Sequence, residues 1–290
     1  MTLNNQQLTL NCDMGESFGA WKMGADERVM PFVDMANIAC GFHASDPNVM
    51  HDTITLANQH DVEIGAHPGY PDLQGFGRRS IKMTNDEITN MVIYQVGALQ
   101  ALCKAQYTDI GYIKPHGALY NDMMQSDGVF LAVVKAVALF KVPLMILASQ
   151  ENEKYLEIAD DFDVPLLFEA FADRLYQDDG MLTPRTQPNA VLNSEHAILE
   201  QVRMLAESGR VKTASGQYIL LEADTICVHG DNDESIALVQ KIRQSLYTGG
   251  AEDKEKNHGK QQGTEHARLI MPEAEDVPIP DSVNTDKVLH

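Results

Sequence analysis

Residues 62–69 read VEIGAHPG, a short apolar run that ends abruptly in histidine, proline and glycine. A run of this length, bounded by glycine and proline, is typical of a buried β-strand. Proline and glycine interrupt regular structure, so we expect the chain to turn directly after residue 66. The pattern therefore predicts a strand over 62–66 with His67 in the loop at its carboxyl end.

The same pattern recurs along the chain, where a short apolar run and then a stretch of helical length repeat about seven times. This alternation predicts a parallel β/α fold, because parallel strands need helical crossover connections. The predicted strands are 8–12, 33–40, 62–66, 110–114, 142–148, 164–170 and 224–228. The predicted helices cover about 47–60, 85–106, 127–140, 150–160, 194–208 and 233–246. Segment 211–222 is expected to be an inserted hairpin, with Ser215 and Gly216 at its turn.

Capping residues mark the starts of three of these helices. Thr84 followed by Glu87 has the spacing of a capping box. Asp46 before Pro47 suits the start of another helix, and Ser126 is a third expected cap.

The composition excludes several classes of protein. A chain of 290 residues, 44% hydrophobic and 22% charged, is typical of a folded globular protein. Its net charge of −20 argues against nucleic acid and anionic membrane surfaces as partners. The four cysteines lie far apart in the sequence, which indicates neither a disulfide framework nor a zinc ribbon and favours a cytoplasmic location. The sequence shows neither a secretory leader nor a membrane-spanning run.

The periodic apolar pattern stops near residue 248. Residues 1–248 are expected to form a single domain, and residues 249–290 have the composition of a flexible acidic tail.

Polar residues gather where the predicted strands end. Four of the ten histidines follow strands directly and stand beside glycine or proline, namely His43, His67, His116 and His229. Because the carboxyl ends of parallel strands converge on one face of a β/α fold, we expect these side chains to share one active site. Asp13 and Glu16 follow the first predicted strand and should join them.

This set of side chains supports more than one chemistry. Histidine and carboxylate pairs can perform general acid–base catalysis, with Lys114, Arg78, Arg79 and Arg174 available for anionic groups. A divalent metal is the alternative, since Asp13 or Glu16 with His43 and His67 offers ligands that zinc or manganese accepts. The sequence contains no P-loop, no Gly-x-Ser-x-Gly elbow and no Gly-x-Gly-x-x-Gly after the first strand.

Seven long motifs in these loops closely resemble the LamB/YcsF family. The motifs are LNCDMGESFG (10–19), ANIACGFHASDP (36–47), GAHPGYPDLQGFGRR (65–79), YIKPHGALYN (112–121), EAFADRLY (169–176), DGMLTPR (179–185) and CVHGDN (227–232). The resemblance covers residues 8–247 and implies a seven-stranded β/α barrel related to glycoside hydrolases and polysaccharide deacetylases. Ser45 is a departure, because the family usually has glycine there.

The resemblance also implies an activity, which is the cleavage of 5-oxo-L-proline to L-glutamate coupled to hydrolysis of ATP to ADP and phosphate. ATP with Mg²⁺ is then the expected co-substrate, with no organic prosthetic group, and B and C subunits are the expected partners. Two alternatives stay open: a metal-dependent deacetylase or amidohydrolase on the same barrel, and a non-catalytic subunit that presents a ligand to partners.

Position in these motifs selects the candidate site residues. The expected catalytic residues are Asp13, Glu16, His43, His67, Lys114, His116 and His229. The expected substrate-binding or nucleotide-binding residues are Asp46, Arg78, Arg79, Glu169, Asp173, Arg174 and Asp231. Candidate metal ligands are Asp13, His43 and His67.

Overall fold

The computed structural model describes residues 8–230 and 232–248, and its centre is a closed barrel of seven parallel strands. The strands in chain order are β1 (Thr9–Met14), β2 (Met35–Ala39), β3 (Glu63–His67), β4 (Tyr112–Ile113), β5 (Leu144–Leu147), β6 (Leu166–Phe171), β7 (Arg210–Lys212), β8 (Tyr218–Leu220) and β9 (Thr225–Val228). The barrel order is β1-β2-β3-β4-β5-β6-β9, and β9 closes it by pairing with β1. All seven predicted barrel strands and the predicted α/β barrel are confirmed.

Helices follow most of the barrel strands. They are α1 (Asp26–Val29), α2 (Pro47–Gln59), α3 (Asn85–Ala105), α4 (Gly117–Gln125), α5 (Asp127–Val137), α6 (Asn152–Asp160), α7 (Glu195–Ser208) and α8 (Asp233–Thr248), with a 3₁₀ turn at Met30–Phe32. The six predicted helices are confirmed, but α1 and α4 were not expected. Helix α4 starts directly after His116, whose side chain makes no capping hydrogen bond, so the usual sequence signal for a helix start is missing.

The predicted caps and hairpin are present. Thr84 and Glu87 form a reciprocal capping box at the start of α3, and Asp46 accepts hydrogen bonds from two amides at the start of α2. The Ser126 hydroxyl accepts from the Val129 amide at the start of α5. Strands β7 and β8 pair antiparallel, as expected for the inserted hairpin.

The barrel interior is partly polar, in contrast to the apolar layer between the barrel and its helices. Tyr112 on β4 donates a hydrogen bond of 2.6 Å to the Asn37 side chain on β2. Because β2 and β4 are not neighbours in the barrel, this bond crosses the interior. Gly65 on β3 makes room for the tyrosine, since a Cβ at that position would lie 2.1 Å from Cζ of Tyr112. The interior therefore holds an aromatic ring and polar side chains directly beneath the carboxyl ends of the strands.

Three sequence expectations concern membrane helices, disulfides and the C-terminal tail. Among the described residues, no helix has the length and apolarity needed to cross a membrane. No disulfide joins the four cysteines, all of which lie in the described part of the chain and are buried. The tail predicted over 249–290 lies outside the described residues and stays a prediction.

Candidate active site at the carboxyl ends of the strands

The structure brings most of the predicted site residues together at one end of the barrel. Side chains from the ends of β1, β2, β3 and β4 meet in one cluster, whose members are Asp13, Glu16, His43, His67, Lys114 and His116. Glu169 on β6 contacts this cluster through an ion pair with Lys114. Asp173 and His229 form a separate pair after β6 and β9.

Three imidazole rings form the buried centre of the cluster. The His67 Nδ1 atom lies 2.6 Å from the Lys114 carbonyl oxygen, and His67 Nε2 lies 2.9 Å from His116 Nδ1. The His116 Nε2 atom lies 2.9 Å from the Phe76 carbonyl oxygen. His43 stacks face to face on His116, with 3.7 Å between the ring centroids. The contacts define one orientation for each of the His67 and His116 rings.

Burial and the neighbouring rings lower the pKa of His43 and of His116. Burial is the main factor that holds the pKa of His43 well below its usual range, and the positive charges of His116 and His67 add to it. Burial and the charge of His67 lower the pKa of His116 to about 3. Glu16 approaches from β1, with its Oε1 atom 3.9 Å from His116 Nδ1. One atom from each of these three histidines and Glu16 lies within 4.8 Å of all the others, so these four residues can hold a metal ion.

A buried ion pair network lies next to the histidines. The Lys114 Nζ atom is 2.9 Å from Glu169 Oε2 and 3.3 Å from Asp13 Oδ1. Burial alone would raise the pKa of Asp13, but the charges of His67 and Lys114 hold it well below its usual range. Burial alone would lower the pKa of Lys114, but Asp13, Cys227 and Glu169 raise it well above its usual range. Asp13 and Lys114 are therefore both charged at neutral pH.

Two asparagines that the sequence analysis did not select complete this network. Asn37 donates hydrogen bonds of 2.8 Å to Asp13 Oδ1 and 2.9 Å to Asn11 Oδ1, and Lys114 donates one of 3.1 Å to Asn11. Both asparagines are wholly buried inside apolar strands. A polar amide in the middle of a buried strand was the available sequence signal, because such a group requires hydrogen-bond partners.

The Asp173 and His229 side chains form the second polar pair of the site. The His229 Nδ1 atom lies 3.0 Å from Asp173 Oδ2, and both side chains are about one fifth exposed, at 24% and 21%. Burial alone would raise the pKa of Asp173. The hydrogen bond from His229 and its charge outweigh burial, so the pKa of Asp173 lies below its usual range. Cys12 on β1 pairs with Val228, the last residue of β9, so Asp13 and His229 are the next residues after this pair. The pair thus lies beside the end of the strand that carries Asp13.

Three of the predicted binding residues make hydrogen bonds that hold loops and a helix start. Asp46 caps α2 and also accepts a hydrogen bond from the Gly19 amide. Arg79 pairs with the buried Asp72 through two nitrogens. Arg174 is buried and donates to two backbone carbonyl groups in the segment that follows β6. These contacts favour a role for all three in holding loops.

Arg78 has a different environment from Arg79. Its side chain is exposed, and its guanidinium lies 5.2 Å from the centre of the Phe76 ring. Its charge also contributes to the low pKa of His43 and His116. Arg78 is therefore the predicted arginine best placed to meet an anion at the histidine cluster. Asp231, the last predicted binding residue, lies outside the described residues.

Ser45 adopts the backbone conformation that the family glycine would favour. Its φ angle is +73°, in the left-handed region, and its side chain is buried. The strain of a non-glycine residue in this conformation is tolerated here. His43 and Asp46 nevertheless keep the positions described above.

Comparison with known proteins gives a consistent set of relatives. Residues 8–260 match the model described as the LamB/YcsF family. A Vibrio campbellii protein, named as the A subunit of 5-oxoprolinase, is 99% identical over 250 residues, which are 86% of this chain and 100% of that protein. A Pseudomonas aeruginosa protein, also named as an A subunit of 5-oxoprolinase, is 50% identical over 248 residues, which are 85% of this chain and 99% of that protein. Among solved structures, the lactam utilization protein from Thermus thermophilus matches with a TM-score of 0.78 and 34% identity, over 84% of this chain and 97% of that chain.

Proposed function

This chain belongs to the LamB/YcsF family, as its motifs suggested, and from that premise we propose that it is the A subunit of a 5-oxoprolinase. The substrate is then 5-oxo-L-proline, a five-membered cyclic amide, and the product is L-glutamate. The observation that carries the proposal is the 99% identity, over the full length of the relative, to a protein of that name. The same comparison supports a multi-subunit enzyme, and we propose B and C subunits as the partners.

The reaction makes three demands on the site. Amide resonance makes the lactam carbonyl a poor electrophile and the ring nitrogen a poor leaving group. A water molecule must therefore be oriented for attack, negative charge on the carbonyl oxygen must be stabilised, and a proton must reach the ring nitrogen.

Asp13 is our candidate for orienting the attacking water. Its carboxylate is held by Asn37 and Lys114 from one side, yet its side chain remains 20% exposed, so one edge faces the cleft. Lys114 is already paired with Asp13 and Glu169, which favours a role in positioning Asp13 over direct binding of phosphate. Arg78, being exposed at the histidine cluster, is the better candidate for binding the substrate carboxylate or a phosphate.

The His229 and Asp173 pair is our candidate for delivering the proton to the ring nitrogen. A carboxylate on Nδ1 fixes the imidazole orientation, and we assign the proton transfer to Nε2. Asp173→Asn should lower the rate of glutamate formation by about tenfold or more, because the pairing charge is lost. Asp178→Asn is the matched control, since that aspartate contacts hydroxyl groups of the loop beside β7. Equal rates for Asp173→Asn and wild type would remove this pair from the mechanism.

ATP coupling is the part of the proposal that involves the whole complex. Transfer of the ATP γ-phosphoryl group to the lactam oxygen would release ADP and weaken amide resonance, so that water can add to the carbon. Cleavage of the C–N bond, with a proton delivered to nitrogen, would then leave a γ-glutamyl phosphate, whose hydrolysis releases phosphate and glutamate. The sequence has no P-loop, so we propose that a partner subunit contributes to the nucleotide site. We also propose a cytoplasmic location, which four buried cysteines without disulfides in the described chain would fit.

Glutamate release tests the proposal directly. The full chain is assayed with 5-oxo-L-proline, first by itself and then together with candidate B and C subunits. Each assay is run with and without ATP. We expect glutamate only when ATP and the partners are present. Glutamate release by the chain alone without ATP would instead support the second candidate, a metal-dependent amidohydrolase, which the cluster of Glu16 and three histidines favours.

A further inference from the structure

We propose that Glu16, His43, His67 and His116 form a binding site for one divalent transition-metal ion of the kind that imidazole ligands prefer, such as zinc. One potential ligand atom from each residue lies within 4.8 Å of all the others. His67 is the last residue of β3, and the other three follow the neighbouring strands β1, β2 and β4, so the barrel itself brings the four together. This inference concerns binding and does not depend on the lactam reaction proposed above.

The hydrogen bonds of His67 and His116 determine which nitrogen of each ring carries a proton. His67 Nδ1 faces the Lys114 carbonyl oxygen at 2.6 Å, and a carbonyl only accepts, so this nitrogen donates. His116 Nε2 donates to the Phe76 carbonyl oxygen at 2.9 Å for the same reason. The other nitrogens of these rings, His67 Nε2 and His116 Nδ1, are the candidate metal-binding atoms.

These two nitrogens lie 2.9 Å apart at the centre of the cluster. A backbone carbonyl that fixes the distal N–H of a histidine is the usual support for a metal-ligating imidazole. Here both rings have this support.

His43 distinguishes a metal ion from a single shared proton. A proton between His67 and His116 would satisfy those two rings alone. His43 is wholly buried, and both of its ring nitrogens lack a hydrogen-bond partner among the described protein atoms. Buried polar groups normally have partners, so His43 requires a third participant at this position. A cation bound by all three rings gives His43 this partner.

Two glycines hold the rings where such a site needs them. A Cβ on Gly69 would lie 2.7 Å from His43 Nδ1. A Cβ on Gly77 would lie 2.7 Å from the His43 Cβ and 2.8 Å from His116 Cδ2, and its φ angle of +62° also favours glycine. The loop after β3 thus packs its backbone directly against the stacked rings.

The donor set selects the class of cation. Three imidazoles and one carboxylate suit zinc and related transition metals, whereas Mg²⁺ prefers oxygen ligands. Asp13, a metal candidate from the sequence, lies 3.4 Å from His67 Nε2 through one oxygen, while its other oxygen is bound by Asn37 and Lys114. The geometry therefore favours Glu16 and His116, with His43 and His67, as the ligands.

Metal binding to the purified full chain tests the site without substrate, ATP or partner subunits. After treatment with a chelator, the protein is titrated with Zn²⁺ by calorimetry, and Co²⁺ is used as a spectroscopic probe of nitrogen coordination. We expect one Zn²⁺ per chain, an absorption band of bound Co²⁺ in the visible range, and no displacement by millimolar Mg²⁺.

Two substitutions locate the ion. His43→Phe keeps an aromatic ring on His116 but removes both nitrogens, and Glu16→Gln removes the charge with little change of shape. Each should weaken Zn²⁺ binding at least tenfold, a factor typical for disturbed metal sites. His51→Phe, at an exposed position of α2, is the matched control and should bind as wild type does.

Circular dichroism of each variant checks its fold, and Glu16→Gln decides the question if His43→Phe does not fold. Failure of the wild-type chain to bind Zn²⁺ would overturn the proposal. Binding that both substitutions leave unchanged, or that Mg²⁺ displaces, would overturn it as well. Because no turnover is measured, either result is independent of whether the chain acts on 5-oxo-L-proline.

Discussion

Replacing Lys114 with methionine tests the buried charge network on which the site is built. The side chain is 3% exposed, and its ammonium lies 2.9 Å from Glu169 and 3.3 Å from Asp13. Methionine keeps the length of the side chain, so the main change is the loss of the positive charge between two carboxylates. Removing one partner of a buried ion pair costs about 3–5 kcal/mol. Lys114→Met should therefore lower the free energy of unfolding by about 3–5 kcal/mol at pH 7.

Urea unfolding followed by circular dichroism measures this change by linear extrapolation. Lys104→Met is the matched control, because Lys104 pairs with Asp109 at the surface with both side chains more than half exposed, at 61% and 58%. An exposed pair contributes at most about 1 kcal/mol. Adding Glu169→Gln to Lys114→Met should recover part of the loss, since an uncompensated buried charge is removed. A cost for Lys114→Met no larger than that of the control would refute the buried network.

Two further predictions concern the loop after β3 and the barrel interior. The Arg79 guanidinium and nearby amides lower the pKa of Asp72 to about 2, from an ordinary value of 3.8. Because this folded-state pKa lies below the unfolded value, the carboxylate stabilises the fold above pH 3.8, and this contribution is lost as pH falls toward 2. Arg79→Ala should raise the Asp72 pKa in a carboxyl NMR titration, and an unchanged titration would contradict the pairing. Gly65→Ala should cost about 1–3 kcal/mol by overpacking the ring of Tyr112, whereas Gly97→Ala, in open space on α3, should stabilise by about 0.5–1 kcal/mol; equal unfolding midpoints would contradict this.

The positions of the barrel strands follow from short-range patterns in the sequence. VEIGA before His67 and IGYIK before Pro115 are recognisable because glycine and proline end each apolar run within a few residues. The loops that carry the histidines could be assigned to one face for the same reason, since parallel strands converge at their carboxyl ends.

The contacts between these loops are not predictable in the same way. His67 and His116 are 49 residues apart, and their 2.9 Å contact depends on strand register and on backbone carbonyls that fix the rings. Lys114 was expected to bind an anionic substrate, but its charge is already paired with Glu169 on β6, which β5 separates from β4. Asn37 was not selected because an amide in an apolar strand indicates that hydrogen-bond partners exist, but the sequence does not identify Asp13 as the partner.

The rate of glutamate release from 5-oxo-L-proline, with ATP and the partner subunits present, tests most directly whether this cleft performs the chemistry. The comparison is between wild type, Asp13→Asn and Asp52→Asn, the last being an exposed aspartate on α2 that serves as control. We expect Asp13→Asn to lower the rate by about 10²-fold or more, the usual contribution of a positioned acid–base group, while its fold is retained. The control should match wild type. A rate for Asp13→Asn close to that of wild type would contradict the assignment of the active site to the carboxyl end of this barrel.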